Sequence, residues 1–134
     1  MRVGIAYYAD KNKTVAEMAK SLEKALVENG HQTETVDLVK TDTALTKFNY
    51  IIFCLNTITM FGGKIPDGFK ARLRTMGTIS GKHCSCIVDK KFGDFKTLAN
   101  LMRIMEKEGL LLCSSEIFSS PEFAYFYGKK MTIY

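Results

Sequence analysis

The stretch VGIAYYADKNKTVAEMAKSLEKALVENG, Val3 to Gly30, decides the fold. Its first six residues form a short run that is apolar on both faces, as a central strand of a parallel sheet is. From Thr14 the period changes. Val15, Met18, Ala19, Leu22, Ala25 and Leu26 recur at helical spacing. Asn29-Gly30 then supplies a left-handed stop. A strand, a short loop and an amphipathic helix together make the first half of a βαβ unit.

The same alternation continues outward. His31 to Leu38 is more polar and reads as an edge strand. A turn or short helix using Leu45 and Phe48 is expected from Asp42. Tyr50 to Leu55 (YIIFCL) is a second buried strand. Asn56 to Pro66 is a long loop, and Asp67 to Met76 reads as a helix with Phe69, Leu73 and Met76 inward. Cys84 to Val88 is the fourth strand and Asp89 to Phe95 the next loop. A helix follows with Phe95, Leu98, Leu101, Met102 and Met105 inward, Asp94 suits its N-cap, and Gly109 closes it. Leu110 to Phe118 is the fifth strand. Pro121 opens a short helix expected to reach Tyr127 and to stop at Gly128. Strands alternating with helices predict a parallel sheet with right-handed crossovers.

A chain of 134 residues is expected to form one domain, 1–134, with an atypical aromatic tail from 119 to 134. A hydrophobic content of 46% suits an ordinary core. No apolar run reaches the roughly 18 residues that span a bilayer. Arg2 is followed by a strand-like run with no small-residue cleavage site, so no signal peptide and a cytoplasmic location are expected. The net charge of +5 comes from scattered lysines and arginines rather than a basic run, so nucleic-acid binding is not expected. Cys54, Cys84, Cys86 and Cys113 sit in apolar runs without metal-ligand spacing and read as reduced, buried thiols. The tail carries Phe123, Tyr125, Phe126, Tyr127 and Tyr134. These rings either cover a sheet face or form a homodimer or partner contact.

Element order and three loops resemble the flavodoxin-like family over most of the chain. The resemblance implies a three-layer α/β sandwich around a five-stranded parallel sheet in order 2-1-3-4-5, with a closing helix that is short or absent. It places the ligand at the carboxyl ends of the strands. The first loop, YYADKNKT, stands where the family holds the phosphate of FMN with a hydroxyl-rich T/S-x-T-G-x-T sequence. Here Ala9 replaces the first hydroxyl, Lys11 the middle Thr, Asn12 the Gly and Lys13 the residue before Thr14; only Thr14 keeps the pattern. Ala9, Asp10, Lys11, Asn12, Lys13 and Thr14 are the phosphate candidates by this resemblance. Two lysines and a helix N-terminus suit an anion, with less geometric selection than hydroxyls give.

The second loop, LNTITMFGGKIPDGF, resembles the loop that receives the flavin ring. Asn56, Thr57 and Thr59 are its hydrogen-bonding candidates, Met60 and Phe61 its stacking candidates, and Gly62 its turn. The third loop, DKKFGDF, resembles the second flavin-contacting loop through Phe92 and Gly93. The resemblance implies non-covalent FMN binding for electron transfer or oxidoreductase activity, toward a redox partner protein or a small-molecule substrate. The alternative is a flavodoxin-fold module without FMN that serves in binding or assembly. A third reading gives the lysine-bearing loop another phosphorylated ligand or an acidic partner. No acid–base triad and no metal set is evident. Family electron carriers are usually acidic, so the positive charge points to a different partner or a small-molecule role.

Overall fold

The structure is a computed structural model and describes residues 1–8, 13–41 and 43–133. The stretch that opens the chain forms β1 (Arg2–Tyr8) and α1 (Lys13–Glu28). They are followed by β2 (Gln32–Asp37), β3 (Tyr50–Leu55), α2 (Asp67–Arg74), β4 (His83–Asp89), α3 (Asp94–Lys107), β5 (Leu111–Phe118) and α4 (Pro121–Lys130). The five strands form one sheet in the order β2-β1-β3-β4-β5, and every pairing is parallel. The register sets Ile5 beside Ile52 and Phe53 beside Cys86, so the apolar runs align across the sheet centre.

Alternation along the strands divides the core into two layers. Val3, Ile5, Tyr50, Ile52 and Cys54 face α1 and α4. Ala6, Ile51, Phe53, Leu55, Cys84 and Cys86 face the layer of Phe69, Leu73, Leu98, Leu101 and Met105 from α2 and α3. All six residues of β3 are buried, as a central strand covered on both faces requires. β2 alternates between exposed and covered positions because it is an edge.

The helix predicted from Val15 to Leu26 buries the six residues that its spacing marks. Leu45 and Phe48 are buried on a turn, one of the two forms expected there, and the Asp42 start lies outside the described residues. Two other expectations change. Phe95 is 79% exposed. The buried face of α3 runs through Thr97, Leu98, Leu101, Ile104 and Met105, and Phe95 lies off that stripe. Gly128 does not stop α4, which runs on to Lys130. A Cβ at Gly128 would lie 2.8 Å from Ala25 Cβ and 2.8 Å from Leu22 Cδ1. The glycine lets α4 approach α1, and tertiary packing overrides its weak helix propensity.

The closing helix is therefore present and short. Ser120 caps it by accepting from the Phe123 N–H at 3.1 Å, and Pro121 occupies its first turn. Much of the aromatic tail is used internally. Phe118 is buried and packs on Tyr127 at 5.2 Å between ring centroids, while Phe123 stacks on Tyr127 at 6.4 Å. Tyr125 donates to Glu28 on α1. Phe126 stays 63% exposed, and Tyr134 lies outside the described residues.

Candidate functional site

The carboxyl ends of β1, β3 and β4 lie side by side, so the loops that leave them share one edge of the sheet. The loops after β3 and β4 are joined first by buried polar bonds. Thr57 and Asp89 are both buried. Asp89 Oδ1 accepts the Thr57 N–H at 2.5 Å, and the Thr57 hydroxyl donates to the Asp89 carbonyl at 3.1 Å. Lys91 Nζ lies 3.5 Å from the other carboxylate oxygen, which gives the buried charge a partner. Thr57 thus staples the two loops, and its hydroxyl and amide are engaged there rather than aimed at a ligand.

Above the staple the two backbones touch. Gly93 has φ +95, and a Cβ there would lie 2.3 Å from the Thr59 carbonyl oxygen and 2.7 Å from that of Met60. Only glycine satisfies both the left-handed dihedral and the close approach. Gly93 also stands at the N-cap of α3, so Asp94 is the first helical residue rather than the cap. Asp94 instead accepts from the Lys91 N–H at 3.2 Å and tightens the turn. On the other loop, Thr59 Oγ1 accepts the Lys64 N–H at 3.1 Å. Asn100 of α3 reaches across to donate to the carbonyls of Gly62 at 3.2 Å and Gly63 at 2.8 Å.

This scaffold holds large apolar side chains in water. Phe61 is 78% exposed and Phe92 68%. They meet edge to face with centroids 5.9 Å apart, though 31 positions separate them in sequence. Met60, Phe95 and Ile58 are also exposed. Phe61 therefore does not anchor its loop to the core. An edge-to-face pair contributes only about 0.5–1.5 kcal/mol, and the loops are already fixed by Thr57, Asp89 and Asn100. The rings are not needed to hold the loops in place, and grouped exposed apolar surface usually marks a ligand or partner site.

Asn56 is half-buried and lines a cavity of about 320 Å³ with Tyr8, Ile58, Lys64, Pro66, Asp67 and Gly68, between the ends of β1 and β3. Lys13 and Thr14 open α1, whose first turn carries no carboxylate. Among the described residues, the positive end of this 16-residue helix carries a lysine and no acid in its first turn. Ala9, Asp10, Lys11 and Asn12 lie outside the described residues. The structure thus brings together Thr57, Thr59, Met60, Phe61, Gly62, Phe92 and Gly93. Two residues that shape this edge are not evident in the sequence, Asp89 and Asn100. The only sequence signal for Asp89 is an acid closing a buried strand.

No protein-family model matches the sequence. No curated protein matches it either. Solved structures do. A two-electron reduced flavodoxin of Megasphaera elsdenii superposes with a TM-score of 0.74 at 16% identity, over 95% of this chain and 98% of that one. A flavodoxin of Streptococcus pneumoniae TIGR4 gives 0.73 at 12% identity, over 97% of each chain. Oxidised flavodoxin 1 of Bacillus cereus gives 0.69 at 16% identity, over 98% of this chain and all of that one. The chain has the flavodoxin-like fold. At these identities the likeness is one of architecture, and function must be argued from the site. In a flavodoxin-like sheet of this order, ligands bind at the switch point between β1 and β3, the edge on which the aromatic loops and the α1 N-terminus stand. No helix among the described residues is long and apolar enough to cross a membrane.

Proposed function

We propose that the protein binds FMN non-covalently at the carboxyl edge of its sheet and serves in electron transfer or as an oxidoreductase. The observation that carries this reading is the pair Phe61 and Phe92, exposed yet joined at 5.9 Å on two interlocked loops. The residues present fit the group. The exposed rings and Met60 offer an apolar face to a planar heterocycle, and Asn56 offers an amide at the cavity beside β1. Lys13 and Thr14 at the α1 N-terminus suit a phosphate, with Lys11 and Asn12 in the loop before them. FMN when bound would supply the redox chemistry. The chain's own residues would bind and orient it, and the positive charge of Lys13 would favour a more negative ligand. Asp89 and Thr57 would keep the two ring-bearing loops at fixed separation.

The test is a titration of purified protein with FMN and, in parallel, riboflavin, read by flavin fluorescence and visible absorbance. Tight FMN binding with clearly weaker riboflavin binding is expected. Failure to bind either would leave the alternative, a flavodoxin-fold binding or assembly module without flavin.

A further inference from the structure

Four cations that are scattered in the sequence meet in the fold. Lys64 lies in the loop before α2, Lys70 lies on α2, and Arg103 and Lys107 lie on α3. All four line one cavity of about 400 Å³ between those elements, and Gly62, Gly63 and Asn100 also line it. The volume falls within the roughly 300–1,000 Å³ of small-molecule sites. One acid stands among them: Asp67 Oδ2 lies 3.7 Å from Lys64 Nζ. Neither Lys70 nor Lys107 is ion-paired with a carboxylate among the described residues. Arg103 donates through one guanidinium nitrogen to Asn100 Oδ1 at 2.8 Å, which orients its fork. After Asp67 is set against Lys64, three positive charges remain around one concave space.

We infer that this α2–α3 cavity is a binding site for a small molecule carrying a diphosphate. The charge count and the placement of the cations on two helices and a loop favour more than one phosphate group. A lysine ammonium holds phosphate as a point charge, whereas a guanidinium can hold two oxygens at once. The cavity has both kinds of donor. It also touches the aromatic loop, because Asn100 lies in its wall and binds the Gly62 and Gly63 carbonyls next to Phe61. An occupant would therefore bear on the support of Phe61. The inference does not require flavin at the other site.

The experiment is calorimetric titration of the flavin-free protein with inorganic pyrophosphate, with sulfate at matched ionic strength and ADP as parallel arms. Pyrophosphate is expected to bind at least about tenfold more tightly than sulfate. Arg103→Ala with Lys107→Ala should weaken it by at least about tenfold. Lys70→Ala with Lys107→Ala, which leaves the Arg103–Asn100 bond in place, should do the same. All of these side chains are on exposed residues, and an unchanged thermal midpoint would confirm intact folding. Lys20→Ala, at an exposed lysine of α1 outside the cavity lining, should leave pyrophosphate affinity unchanged. ADP binding tighter than pyrophosphate would identify a nucleotide, and equal binding an occupant read by its phosphates alone. Pyrophosphate no tighter than sulfate, or full affinity in both cavity variants, would overturn the site. So would loss of binding only in a Lys11→Ala, Lys13→Ala variant, which would place the anion at the α1 N-terminus instead.

Discussion

Two aromatic groups in this molecule are built from similar residues and used in opposite ways. On the α1–α4 side, Phe118 is buried and Phe123 and Tyr127 stack around it, so the rings close the core. At the carboxyl edge, Phe61 and Phe92 touch each other and remain mostly in water. Hydrophobic burial explains the first group. It does not explain the second, whose loops are fixed by Thr57, Asp89, Gly93 and Asn100 rather than by the rings. Aromatic residues that a scaffold holds without needing them are candidates for recognition, while those that fill a core report only on stability.

That contrast can be broken by substitution. The largest effect is expected in the core. Phe118→Ala should cost about 3–5 kcal/mol, read from urea unfolding. A loss below about 1 kcal/mol would mean that α4 does not depend on that ring. Gly93→Ala comes next. The left-handed dihedral alone costs roughly 1–2 kcal/mol, and the Thr59 carbonyl must also move away from the new Cβ. It should lower stability by about 2 kcal/mol or more, and it should weaken FMN binding because the two loops separate. Wild-type affinity in a folded Gly93→Ala protein would show that the loop junction is not part of the site.

The buried side also has a pH signature. Burial pushes the Tyr50 phenol up to about 12, against a hydroxyl chain in which Tyr50 meets Ser85 at 2.5 Å and Ser85 meets Ser114 at 2.6 Å. Burial also pushes the Cys54 thiol up to about 12. Both groups are neutral in the folded state and ionise more readily when unfolded. Their stabilisation is complete below the unfolded pKa values, near 9 for the thiol and 10 for the phenol, and is lost as pH rises toward 12. Urea midpoints of the wild type should therefore fall between pH 9 and 11.5, and Tyr50→Phe should fall less steeply. Parallel curves would remove Tyr50 from the account. The smallest effect is expected at the anion end. Lys13→Ala should weaken FMN by up to roughly fivefold and leave riboflavin unchanged, since an exposed lysine–phosphate ion pair contributes up to about 1 kcal/mol. An equal loss for both ligands would place Lys13 away from the phosphate.

Much of the fold was legible because apolar period and turn residues act locally. YIIFCL could be read as a buried strand, and the α1 stripe from Val15 to Leu26 matches the buried face. The errors arose where packing between distant segments outweighed local signals. Gly128 looks like a helix stop until Leu22 and Ala25 are seen to need its small size. Phe95 fits a plausible helical stripe, yet α3 is rotated so that Thr97 and Ile104 face inward. Cys113 reads as buried in its run, but it is the extra residue where the β4–β5 register shifts between Cys84 and Ser85, and it is partly exposed. At the candidate site, Phe61, Phe92 and Gly93 could be named through resemblance to known loops, and the structure brings those two loops into contact. The Thr57–Asp89 staple spans 32 positions and has no local pattern. The gathering of Lys64, Lys70, Arg103 and Lys107 has none either, because only the fold sets α2 beside α3.

The most direct measurement is an FMN fluorescence titration of the wild type beside a Phe61→Ala, Phe92→Ala double variant, each checked by urea unfolding. The account predicts flavin quenching by the wild type and binding weaker by roughly tenfold or more in the variant, since loss of aromatic stacking costs about 1–3 kcal/mol. The urea midpoint should stay close to that of the wild type. An unquenched flavin with the wild type, or equal affinity in the double variant, would contradict the assignment of these exposed rings to a flavin site.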